Sequence, residues 1–196
     1  MRRIFTTLLL AGLTLITTVC YAEISNFEQG VINTTQMIKQ DPKNAKAYVA
    51  RSYFNLKLGK TDEAFEDANK AIELKTDQAL AYWVRSSIYL DEKKDPKKAL
   101  ADINKAMTLE TNNPHLHVVR GRTYSAMRNF NEALKDFDTA IKLNKDLANA
   151  YFFRGYARFQ SGDRRGAGED YIKASELEPN NKLYAQYKEV FGKHAK

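Results

Sequence analysis

A short motif returns along this chain at a nearly constant interval, and that interval restricts the fold more than any other feature. Glu63-Ala64 is followed by Ala71, Lys98-Ala99 by Ala106, Glu132-Ala133 by Ala140, and Gly166-Ala167 by Ala174. The first alanines of successive motifs lie 35, 34 and 34 residues apart. A period near 34 accommodates two antiparallel helices of about 12 to 15 residues each. One such hairpin cannot bury its apolar face alone, whereas stacked hairpins can.

Within each period the spacing is helical. First helices begin near Tyr48, Tyr82, His117 and Tyr151, and in the last of them Tyr151, Gly155 and Phe159 recur every four residues. In the second helices, Phe130, Ala133, Leu134, Phe137 and Ile141 make one apolar stripe. Gly59 and Gly162 fall between paired helices, where a left-handed cap costs glycine little. Asp41-Pro42 and Glu178-Pro179 mark helix ends. Ser52, Ser86, Gly121 and Gly155 share one recurring position, and Ala64, Ala99, Ala133 and Ala167 another. Small side chains at both let paired backbones approach closely.

An arginine and an aspartate recur with the same period. Arg51, Arg85, Arg120 and Arg154 lie in first helices; Asp67, Asp102, Asp136 and Asp170 follow 16 or 17 residues later in second helices. The bland reading is a ladder of ion pairs within hairpins or between neighbours, since guanidinium engages carboxylate bidentately. The sharper reading is a row of arginines gripping a ligand carboxylate.

With these positions in view, the chain resembles the tetratricopeptide repeat family over residues 45–181. The proline expected after a second helix is present as Pro42 and Pro179, with Thr76, Asn112 and Lys145 elsewhere. The resemblance implies an all-α fold, a right-handed α-solenoid of stacked antiparallel helix pairs. Its repeats would be 45–78, 79–113, 114–147 and 148–181. A lone helix would occupy 23–44, with Phe27, Val31 and Ile38 inward. A closing helix and tail would occupy 182–196, with Leu183, Tyr187, Val190 and Phe191 covering the last hairpin. Three departures carry expectations. Asn55 replaces an aromatic and should loosen the first hairpin. One extra residue between Asp91 and Pro96 should make a longer, mobile connection. Gly166 and Gly168 should weaken the last second helix by about 1 kcal/mol each.

Relatives in this family bind peptides on the concave face, lined chiefly by first helices. The positions that match here give Tyr53, Trp83, Arg122, Phe152, Tyr156 and Phe159 as the protein-binding set. Phe152, Tyr156 and Phe159 form one stripe, which either anchors a ligand or is covered by the closing helix. A family variant clamps a peptide's terminal carboxylate with lysines and asparagines. The matching places here are mostly apolar, aromatic or small, with Lys46 an isolated match, so recognition of that kind is not expected.

Residues 1–22 read as a secretory signal. Arg2 and Arg3 precede an apolar run from Leu8 to Ile16, and Cys20-Tyr21-Ala22 offers a cleavage site before Glu23. Two alternatives stay open: lipid attachment at Cys20, which Val19 fits poorly, and an uncleaved anchor. Export would place the chain in a periplasm or outside the cell. It would carry no stable membrane span and no cysteine, so packing alone would stabilise it.

The formal charge is +7, or +5 without Arg2 and Arg3, and lysine and glutamate are interspersed. Nucleic-acid binding needs a clustered basic stripe and is not expected. His115 and His117 point to different helix faces, and His194 lies in the tail. No nucleophile motif, phosphate loop or zinc-protease pattern occurs in the sequence. The chain reads as a non-enzyme without cofactor or metal. Its expected partner is a protein or peptide. A structural or self-associating envelope protein is the alternative.

Overall fold

The computed structural model describes residues 24–195, and no strand occurs among them. The signal segment 1–22 and Cys20 lie outside the described residues. The chain forms two compact units that divide after Thr76. The first holds a helix over 24–40 (α1), α2 (Ala45–Lys57) and α3 (Thr61–Glu73). The second holds α4 (Ala79–Asp91), α5 (Pro96–Leu109), α6 (Pro114–Ala126), α7 (Phe130–Leu143), α8 (Ala148–Gln160), α9 (Arg164–Leu177) and α10 (Lys182–Phe191). A 3-10 turn, Gly192–Ala195, ends it. Helices α2/α3, α4/α5, α6/α7 and α8/α9 pair as hairpins. The architecture is an all-α solenoid of helix pairs.

Side chains set the helix starts. Asn44, Asp95, Asn113 and Asp163 accept hydrogen bonds from backbone amides in the first turns of α2, α5, α6 and α9. Pro96 and Pro114 open their helices, where a missing N–H costs nothing. The turns inside hairpins each contain one left-handed residue: Gly59 at φ 72°, Lys94 at 51°, Arg128 at 60° and Gly162 at 96°. The α4–α5 connection is one residue longer, but it is tied down rather than loose. Lys93 N–H donates to Ile88 O at 3.1 Å, and Asp95 N–H to Tyr89 O at 2.8 Å.

The core follows from the alanine motif. All eight alanines, from Ala64 and Ala71 to Ala167 and Ala174, are 0% exposed. The small position of the first helices answers the ring size opposite it. A Cβ on Gly121 would lie 2.7 Å from the Phe137 ring, and one on Gly155 would lie 3.1 Å from the Tyr171 ring. Where the residue 16 or 17 positions on is Ala68 or Ile103, the small residue is Ser52 or Ser86 instead.

The arginine–aspartate ladder is intramolecular. Nε and Nη2 of each arginine grip the aspartate of the same hairpin at 2.7 to 3.0 Å. Nη1 of Arg51, Arg120 and Arg154 reaches back to the preceding second helix, donating to Thr35 (3.2 Å), Asn104 (3.4 Å) and Asp138 (2.6 Å). One side chain thus fixes register inside a hairpin and against its neighbour. The hydrogen bonds to Asp67, Asp102 and Asp136 hold Arg51, Arg85 and Arg120 above the usual guanidinium range. These arginines are committed, and the reading of them as a ligand grip is set aside.

Three local expectations are corrected. Asn55 is buried and donates to Asp67 at 3.3 Å, so it joins the ladder. A polar cleft of about 300 Å³ does open beside it, bordered by Arg51, Lys60 and Glu63. Gly168 is more than a weak helix residue: a Cβ there would meet Phe191 O at 2.8 Å and Ala195 N at 3.0 Å. Its bareness lets the chain terminus lie directly on α9. The closing helix covers the last hairpin with Tyr184, Tyr187 and Phe191. Leu183 and Val190, expected to help, are 48% and 47% exposed.

Candidate functional site

The second unit carries a groove of about 440 Å³ along its first helices. Leu90 and Asp91 at the end of α4 form one wall, together with Lys94 in the following turn. Arg122, Ser125 and Ala126 of α6 follow, then Phe152, Phe153 and Tyr156 of α8. Leu183 and Tyr187 of α10 close the far side. The lining is mostly apolar, with few polar groups, as small binding clefts usually are.

Helix phase explains the site. Residues 122, 125 and 126 share one face of α6, and 152, 153 and 156 one face of α8. Phe152 is packed down: it stacks on Tyr184 at 4.8 Å between ring centroids and meets Tyr187 edge-on at 4.9 Å. At 6% exposure it is floor, not an exposed anchor, which corrects that part of the expectation. Phe159 packs against Phe191 at 4.9 Å and does not line the groove. Tyr156, from the same stripe, stays 40% exposed. The closing helix therefore takes two members of the stripe and leaves the third.

Arg122 is held on two sides. Its guanidinium lies 4.6 Å from the centre of the Phe153 ring, a cation–π arrangement. Its Nη2 donates to Asp91 Oδ1 at 2.5 Å, bridging two neighbouring hairpins. Lys94 Nζ donates to the backbone carbonyl of the same Asp91. Ser125 Oγ, buried on the α6 wall, has no hydrogen-bond partner among the described residues.

The structure gathers Arg122, Phe152 and Tyr156 of the predicted set into this groove. Trp83 does not line it, and packs at the edge of a cluster built on Ala79, Ile103 and Leu116. Tyr53 belongs to the first unit, where it meets Phe27 and Phe54 at 6.4 and 6.0 Å. Sequence reasoning missed Asp91 and Lys94, which sit where the second repeat departs from the period. It also missed Phe153, one residue along from the predicted stripe. Among the described residues no group of acidic, histidine or cysteine side chains could hold a metal ion. No helix there is long and apolar enough to cross a membrane.

Repeated hairpins, a buried alanine frame and an open groove along first helices define a helical-repeat module. Two tetratricopeptide repeat models match the chain, over residues 45–78 and 118–181, together half of its length. The chain belongs to the tetratricopeptide repeat family. Hsc70-interacting protein 1 of Drosophila melanogaster is 34% identical over 125 residues, which cover 64% of this chain and 31% of that relative. The chain thus spans less than a third of that relative's length. The first tetratricopeptide domain of Spaghetti (RPAP3), solved bound to the HSP90 peptide SRMEEVD, is 29% identical. It covers 59% of this chain and 91% of its own, with a TM-score of 0.54. MamA, at 22% identity and a TM-score of 0.65 over 82% of this chain and 93% of its own, shares the fold.

Proposed function

We propose that the chain is an exported protein-interaction module that seats a segment of a partner protein in the groove between α4, α6, α8 and α10. The observation that carries this reading is Tyr156. It stands 40% exposed above a floor of packed aromatic rings, although a closing helix covers its two stripe neighbours. An exposed aromatic on a rigid base is the kind of residue that concentrates binding energy. The peptide held by the Spaghetti domain supports the reading, because a related fold there is bound to a short peptide.

Tyr156→Ala tests it. Folding should change by no more than about 0.5 kcal/mol, as for an ordinary surface substitution. Capture of the partner retained by the wild-type chain should weaken by about 1–2 kcal/mol. Full capture by the variant would overturn the reading.

Export rests on the charged start, apolar run and small-residue site within residues 1–22. N-terminal sequencing of the processed chain should read Glu23-Ile24-Ser25. An intact Met1 would refute export with cleavage, and a lipid on Cys20 would replace it with an anchored form. A self-associating reading has its own support in α1, where Ile24, Ile32 and Met37 are 46%, 51% and 46% exposed. Sedimentation of the purified chain without partner decides that reading: a monomer at all concentrations refutes it.

A further inference from the structure

The groove has a charged end, and its charges are arranged unusually. Arg122 lines the groove together with Tyr156, and its guanidinium lies 4.6 Å from the centre of the Phe153 ring. That cation–π contact favours the same guanidinium position whatever its hydrogen-bond partner is. The present partner is Asp91, whose side chain is 46% exposed, twice as open as Arg122 at 24%. Lys94 turns toward Asp91 as well, onto its backbone carbonyl. The ladder aspartates, by contrast, are 2–6% exposed and held by two or more donors. Among the described residues, the Asp91 carboxylate accepts one side-chain hydrogen bond, from Arg122. It is a surface carboxylate resting on a pre-oriented cation beside an apolar groove.

We infer that Asp91 is a placeholder: the groove takes a partner segment that pairs a bulky apolar side chain with a carboxylate, and that carboxylate displaces Asp91 from Arg122. This rests on the groove being the binding site. The charge around it agrees. Lys93, Lys94, Lys97, Lys98 and Arg128, all exposed on or beside the turns at this end of α4, α5 and α6, outnumber the acids Glu92 and Asp95 there, even with Lys98 paired to Asp95, and leave a positive excess. A rim of that sign draws an acidic segment toward the groove. Exchanging one exposed carboxylate for another keeps the guanidinium paired throughout, so the step carries little desolvation cost. The apolar side chain, set against Leu90, Tyr156 and Leu183, supplies the net gain.

The test is selection of a random twelve-residue peptide library on the full chain, followed by affinity measurements on the selected peptides. Selected peptides should carry Asp or Glu within a few residues of a Leu, Ile, Phe or Trp. Arg122→Gln should weaken them about tenfold or more, as loss of a hydrogen bond to a charged group does. Asp91→Asn should strengthen them several-fold, a gain that misfolding cannot produce. Peptides with the acid changed to Gln or Asn should be indifferent to Asp91→Asn. If selected peptides depend on Tyr156 but show no acid and ignore both Arg122→Gln and Asp91→Asn, the placeholder is refuted and the groove reading stands. If no peptide is selected, or binding survives Tyr156→Ala, the groove reading falls and this inference with it.

Discussion

Replacing Gly121 by serine, the residue that two other repeats carry at this position, isolates what sets the fit of a hairpin. In the α6/α7 pair the new Cβ would lie 2.7 Å from Phe137 Cε1 and 2.9 Å from Cζ. Phe137 is 0% exposed, so its ring has nowhere to move. Overpacking of this kind costs about 1–3 kcal/mol. Serine regains about 0.5 kcal/mol of helix propensity over glycine, leaving a net loss of about 0.5–2.5 kcal/mol. Phe137→Ile alone opens space and should cost about 1–2 kcal/mol, part of the loss seen for larger truncations. The double substitution reproduces the Ser86/Ile103 pair of α4/α5, both of whose members are fully buried without conflict. It should therefore lose at least about 1 kcal/mol less than the two single changes added together. Urea unfolding followed by circular dichroism measures all four chains. Hydrogen exchange on α6 and α7 guards against partial unfolding of a repeat array. Strict additivity would refute the claim that ring size opposite the helix dictates glycine here.

Asp136 shows how one rung of the ladder should respond to acid. Burial resists its ionisation, but hydrogen bonds from His117 and Arg120 outweigh that and hold the carboxyl below its ordinary value of 3.8. A depressed folded value means the stabilisation is complete above pH 3.8 and is lost as pH falls through the lower value. Asp136→Asn should cost about 1–3 kcal/mol at pH 7 and flatten the loss below pH 4, read from urea midpoints across that range; an unchanged acid slope would refute it. Gly168→Ala should loosen the chain terminus despite better helix propensity, because its Cβ would meet the Phe191 carbonyl. Limited proteolysis should then cut residues 182–195 faster, and unchanged protection would count against close approach as the role of that glycine. Ala133→Leu should lower the urea midpoint by the equivalent of about 1–3 kcal/mol, since Ala133 is 0% exposed. An unshifted midpoint would mean that the position is not a tight contact.

The hairpins were legible in the sequence because they rest on strict spacing. A residue 16 positions from its partner in an antiparallel pair of short helices has almost one place to be, so Arg120 and Asp136 announce each other. The groove was legible only in part. Spacing puts Phe152, Tyr156 and Phe159 on one face, but it does not say how closely α10 lies over them. That depends on Gly168, whose role appears only once the terminus is seen resting on it. The inward face of α10 was misjudged for a similar reason: Leu183 and Tyr184 are adjacent, and only packing shows which one turns in. Asp91 was hidden because it lies where the second repeat has its extra residue, outside the periodic frame.

The third nitrogen of the ladder arginines makes hairpins of the second unit interchangeable parts. Arg154 spends Nε and Nη2 on its own Asp170 and Nη1 on Asp138, sixteen residues back. Arg120 does the same with Asp136 and Asn104. Excise residues 114–147, one whole period, and Asn113 comes to precede Ala148 and can cap α8 as it now caps α6. Arg154 would meet Asn104 in place of Asp138, and its principal carboxylate would be untouched. No buried charge would lose its counterpart at the splice. A chain wired this way can lengthen or shorten by whole periods without passing through a form that strands a charge in its core, so the number of hairpins is free to follow the length of what they must hold.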